Sequence, residues 1–146
     1  MARIIFFSIL LFITTQVSAQ TWESSFESAK VKAAQEGKDI VLTFAGSDWC
    51  IPCMKLEKEI WSSQDFMDYA KDHFVMYRAD FPKRKANALP REQQESNDRL
   101  AEMYNKQGLF PLVLVLDKNG KVLGSAGYKN VPPKEYIALL HSFEKN

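Results

Sequence analysis

The chain has 146 residues, enough for one domain and too few for two ordinary ones. Its 19 basic and 18 acidic side chains leave a formal charge of +1, which argues against the electrostatic footprint of a nucleic-acid or anionic-membrane binder. Both cysteines lie in one CxxC, too close together to close a long loop, so the pair is read as kept for chemistry rather than for cross-linking.

From the N-terminus, Met1–Arg3 carries one positive charge, Ile4–Ile13 is apolar apart from Ser8, and Thr14-Thr15-Gln16 ends the run. Val17-Ser18-Ala19 supplies small residues before a cut ahead of Gln20. This order is that of a secretory signal peptide over residues 1–19, with an uncleaved anchor as the alternative. Residues 20–146 then form the domain, and an exported chain works in an oxidising compartment.

Trp22, Phe26, Ala29 and Ala33 recur at helical spacing up to Gly37. Ile40–Phe44 reads as a buried strand, Ala45-Gly46-Ser47-Asp48 breaks it, and Trp49–Cys53 opens a helix with Cys53, Leu56, Glu57 and Ile60 on one side. A helical piece near Gln64–Asp72 precedes a strand at Phe74–Asp80. Phe81–Pro90 is a polar loop whose Lys83-Arg84-Lys85 cluster reads as solvated. A helix after Pro90 becomes apolar by Leu100, Met103 and Tyr104. Leu112–Leu116 is a buried strand, Asp117-Lys118-Asn119-Gly120 a hairpin turn, and Lys121–Gly124 the returning strand. Tyr136, Ile137, Leu140 and Phe143 mark a last amphipathic helix. Strands alternating with helices predict an α/β protein, and the closing hairpin makes its central sheet mixed, with helices on both faces.

Cys50 falls at the start of a helix, where free N–H groups and the helix dipole stabilise a thiolate, the attacking form of the thiol. Pro52 fits the first turn, where its missing N–H costs nothing. Cys53, one turn further in, can attack a mixed disulfide formed at Cys50. The spacing predicts an exposed nucleophile and a sheltered resolving thiol. Zinc needs about four ligands, and the remaining soft donors, His73 and His141, are far apart in the sequence. Copper(I) can bind two thiolates, and Met54 beside Cys53 keeps that alternative open.

The segment Phe44–Cys53 (FAGSDWCIPC) resembles the active-site segment of the thioredoxin-like family. Leu100-Ala101, Tyr104, Gly108, Pro111 and the strand–DKNG–strand hairpin resemble its second half, and the match runs from Trp22 to Phe143. The likeness is to exported bacterial members in particular. It implies a thioredoxin fold, with Cys50 as nucleophile and Cys53 as resolving thiol. Trp49 would shield the disulfide beside a docking groove, or simply pack. Pro111 would be a cis-proline facing the site, or a trans proline opening a strand, and Phe110 would place a ring just before it.

Three departures from thioredoxin stand out. The buried acid of the strand before the CxxC is missing: counted back from Cys50, its place is Phe44, preceded by Thr43. Glu57 offers a replacement acid, against a solvated or salt-bridged carboxylate. Ile51-Pro52 replaces Gly-Pro, and Gly108-Leu109-Phe110-Pro111 holds one residue more. The expected function is thiol–disulfide exchange with exported proteins, the reductase direction favoured, needing no cofactor beyond the Cys50–Cys53 disulfide. The expected partners are protein thiols and disulfides and an upstream electron donor or acceptor, with no nucleic acid and no membrane after cleavage. A monomer is expected, in the periplasm of a Gram-negative source or otherwise secreted. A copper(I) carrier and a non-catalytic interaction module are the competing readings.

Overall fold

In the computed structural model, which describes residues 21–144, the apolar run Asp39–Ala45 forms strand β1 near the middle of a four-stranded sheet. Strand β2 (Phe74–Asp80) runs parallel to it on one side, and β3 (Leu112–Leu116) runs antiparallel on the other. Strand β4 (Val122–Ala126) closes the order β2-β1-β3-β4. The hairpin between β3 and β4 turns where Asp117 Oδ1 accepts the N–H groups of Asn119 and Lys121, and Gly120 takes a φ of 85°. The expected leader lies outside the described residues. Among the described residues no helix is long and apolar enough to cross a membrane.

Alternation along β1 sorts the side chains into two layers. Ile40, Leu42 and Phe44 pack with helix α1 (Phe26–Glu36) and with Leu100 of α4 (Arg91–Tyr104). Val41 packs on the other face with Leu56 of α2 (Ile51–Leu56), Phe66 of α3 (Gln64–His73) and Tyr136 of α5 (Pro133–Glu144). The sheet is thus mixed with helices on both faces, an α/β thioredoxin fold. Each fully buried aromatic or aliphatic side chain contributes about 1.5–3 kcal/mol, so the two layers supply most of the driving force. Helix α4 packs through Leu100 and is held also by buried Asn97, whose Oδ1 accepts the Tyr77 hydroxyl at 2.7 Å and whose Nδ2 reaches the Asp80 carbonyl at 3.1 Å.

Three boundaries differ from expectation. Trp22 is not on the first helix: Ser25 caps α1 by accepting from the Ser28 N–H, and Trp22 lies before the cap in extended backbone, bridged to Met76 along the outer edge of β2. Helix α2 does not run on as an α-helix. Ser62 N–H donates to the Glu57 carbonyl, a wide π turn over Glu57–Trp61, and the extra residue lets both Ile60 and Trp61 turn inward. Strand β4 reaches Ala126 rather than Gly124, because Val113 and Leu114 of β3 remain to be paired.

Candidate active site

The site forms where β1 ends and α2 begins, at the carboxyl end of the strand. Cys50 is the N-cap of α2, in extended backbone (φ −91°, ψ 100°), and its Sγ accepts the Cys53 N–H at 3.3 Å. Pro52 occupies the first turn. Cys50 and Cys53 form a disulfide with their Cα atoms 5.2 Å apart. The expected contrast between an exposed and a sheltered cysteine is absent in this state: Cys50 is 4% exposed and Cys53 6%. Trp49 and Phe110 pack against the two cysteines and Ala45, which explains the burial of Cys50.

Trp49 is fixed by its own contacts. Its Nε1 donates to the Phe81 carbonyl at 2.7 Å, and its ring meets that of Phe110 edge-on at 5.3 Å. The indole lies so close to Gly46 that a Cβ there would collide with it, a constraint the sequence concealed inside an ordinary turn. Phe81, which the sequence placed in a polar loop, packs edge-on against Phe110 at 5.6 Å. The Phe110–Pro111 peptide is cis. Its approach is set by buried Asn105, whose side chain accepts the Leu109 N–H and donates to the Leu109 carbonyl, both at 2.9 Å. Beside these half-buried rings, Ile51 (66% exposed) and Met54 (43%) present apolar surface.

The Lys83-Arg84-Lys85 segment is more than a solvated loop. Asp48 accepts the N–H groups of Lys83 and Arg84 and the Asn87 amide, each at 2.9 Å. The Lys83 N–H foremost, then Asn87 and Arg84, hold the Asp48 carboxyl down at about 2. The Lys83 ammonium lies 4.0 Å from the centroid of the Trp49 ring.

Behind the disulfide is a pocket of about 390 Å³ whose walls include Thr43, Cys53, Glu57, Trp61, Arg78 and Pro111. Counting back from Cys50 pointed to Phe44 as the residue in place of the missing acid. Strand alternation corrects this: Phe44 belongs to the opposite core layer, and Thr43 faces the pocket that Cys53 lines. The Thr43 Oγ1 is buried without a protein partner. Glu57 stands at the edge of its helix face, 43% exposed, and pairs with the Arg78 guanidinium. Arg78 in turn stacks on Trp22 with its Cζ 4.3 Å from the ring centroid.

The chain is similar to several known proteins. A family model described as thioredoxin-like matches residues 21–118. The disulfide bond reductase DsbH of Chlamydia pneumoniae is 35% identical over 121 residues, covering 83% of this chain and 70% of that protein. The thioredoxin-related protein DsbJ of the same organism is 30% identical over 64 residues, 44% of this chain and 18% of its own length. Among solved structures, a DsbH oxidoreductase superposes with a TM-score of 0.82 at 31% identity, covering 96% of this chain and 94% of that one. A thioredoxin from Thermus thermophilus, at 18% identity and a TM-score of 0.62 over 86% of this chain and 87% of its own, shares the fold. The chain belongs to the thioredoxin-like family, as a thioredoxin-like thiol–disulfide oxidoreductase.

Proposed function

We propose that the chain reduces disulfides of exported proteins through Cys50 and Cys53. The observation that carries this reading is the disulfide that caps α2, with the Cys50 sulfur accepting a helix N–H. In the reduced chain the same N–H groups and the helix dipole favour a thiolate at Cys50. That thiolate attacks one sulfur of a client disulfide, forming a mixed disulfide and releasing a client thiolate. The Cys53 thiolate then attacks Cys50 Sγ, closing the Cys50–Cys53 disulfide and releasing the second client thiol. Two electrons pass to the client, and an upstream thiol donor returns the pair to the reduced state. Trp49, Phe110 and Pro111 form the wall a client chain would lie against, and exposed Ile51 and Met54 extend it with apolar surface. Glu57 lines the same pocket as Cys53 and is the carboxylate we assign to accept its proton.

Insulin reduction and redox titration against thiol buffers test this reading. Cys50→Ser should abolish turnover, and Cys53→Ser should accumulate mixed disulfides. A potential near about −270 mV supports a reductase, whereas one near about −120 mV would make the chain an oxidant. Unchanged insulin reduction in both variants would overturn the assignment. Tight copper(I) binding by a reduced chain that does not turn over would favour the carrier.

A further inference from the structure

We propose that His73, His141 and Glu144 form a binding site for a divalent transition-metal ion, zinc foremost, at the end of the sheet opposite the cysteine pair. The histidines are 68 positions apart, which is why the sequence separates them. Packing of α3 against α5 brings them together, with ring centroids 6.0 Å apart. His73 is the last residue of α3 and directly precedes β2, whose first residue pairs with the first of β1. Cys50 lies beyond the turn that follows Ala45, the last residue of β1, so the two sites occupy opposite ends of the sheet.

The three side chains converge, each histidine on a different oxygen of Glu144. His73 Nδ1 lies 3.2 Å from Glu144 Oε1, and His141 Nδ1 lies 3.0 Å from Glu144 Oε2. A tetrahedral zinc with bonds of about 2.0 Å spaces its ligand atoms about 3.3 Å apart. One ligand atom from each of the three residues already falls within 4.8 Å of the others. Two imidazoles and a carboxylate are a familiar zinc ligand set, leaving a fourth position for water. The side chains of His73 and His141 are 36% and 39% exposed, so an ion can enter from solvent.

Tyr69 supplies the supporting contacts. Its ring stacks on His73 at 3.9 Å and 8°, and its hydroxyl donates to Glu144 Oε2 at 2.7 Å; the same hydroxyl lies 2.5 Å from His141 Nδ1, a contact that a bound ion displaces. Such contacts orient ligands and keep them in reach. The field also favours a cation. Helix α3 ends at His73 and α5 at Glu144, so both negative dipole ends converge here. Burial first, then the charges of Glu144 and Asp117, raise the carboxyl of nearby Asp39 above its ordinary value. On binding, each neutral imidazole coordinates through Nδ1 and carries its single proton on Nε2.

The test uses zinc chloride and the oxidised, chelator-treated chain, whose two sulfurs are occupied by the disulfide. Calorimetric titration should give one zinc per chain, lost in His73→Ala and in His141→Ala and weakened about 10- to 100-fold in Tyr69→Phe. The Cys50→Ser/Cys53→Ser double variant should bind zinc as the parent does. Zinc-edge absorption of the unmutated chain should show nitrogen and oxygen ligands at about 2.0–2.2 Å and no sulfur. No binding at about 100 µM zinc, sulfur in the ligand shell, or undiminished binding in folded His141→Ala would overturn the site.

Discussion

Arg78 shows how single side chains tie the pocket to the rest of the chain. It stacks on Trp22, ahead of the first helix, and holds Glu57 on the pocket wall that Cys53 shares. The proposed role of Glu57 is to take the resolving thiol's proton from that wall. Glu57→Gln should therefore slow the release of mixed disulfides, by up to about 100-fold, and leave the first attack by Cys50 unchanged. Quench-flow alkylation separates the two steps, and an unaltered second step would remove Glu57 from the mechanism. Thr43 marks the limit of residue counting. Distance from Cys50 along the chain selects Phe44, but the turn between strand and helix can change length, whereas the alternation along the regularly paired β1 holds. The alternation was present in Ile40–Phe44 and identifies Thr43 as the pocket side chain.

At the scale of elements, the turn leading into α2 is anchored by several side chains, among them Ser47, Trp49 and Asp48. Asp48 gathers two backbone N–H groups and an amide from the loop after β2, so the turn carrying Trp49 and Cys50 and the loop carrying Phe81 are held as one piece. Its carboxyl is held at about 2 in the fold, below the value of about 3.9 in an unfolded chain. A depressed carboxylate contributes stability that is fully present above about pH 4 and disappears as the pH falls through about 2. Asp48→Asn should thus melt earlier than the parent at pH 7, and the gap should narrow between about pH 4 and 2. Melting curves across that range check the sign, and a gap that widens in acid would contradict it. Elements with their own local signal were legible: the DKNG turn, the apolar strands, and the helix opening at the CxxC. The π turn at Glu57–Trp61 was not, because it follows from fitting Ile60 and Trp61 together into one core layer rather than from any local preference.

For the whole molecule, redox state and folding are linked. A disulfide that resists reduction belongs to a chain whose oxidised form is the more stable, whereas a strong oxidant gains from a stabilised reduced form. If the chain is a reductase, its urea midpoint should be higher with the Cys50–Cys53 disulfide closed than with both thiols free. The reverse order would assign the oxidising direction. The two-layer architecture was readable because buried apolar strands alternate with helical segments along the chain, which puts helices on both faces of the sheet. The meeting of His73 with His141 was not, since it depends on how α3 and α5 settle on a shared face. The opening segment has a consequence of its own. Trp22 pairs with Met76, and the Glu23 N–H donates to the Met76 carbonyl at 2.9 Å, so residues ahead of the first helix occupy part of the free side of β2 at Met76. An open strand edge is a template that other extended chains can join, and occupying part of this one leaves fewer unpaired groups to offer them.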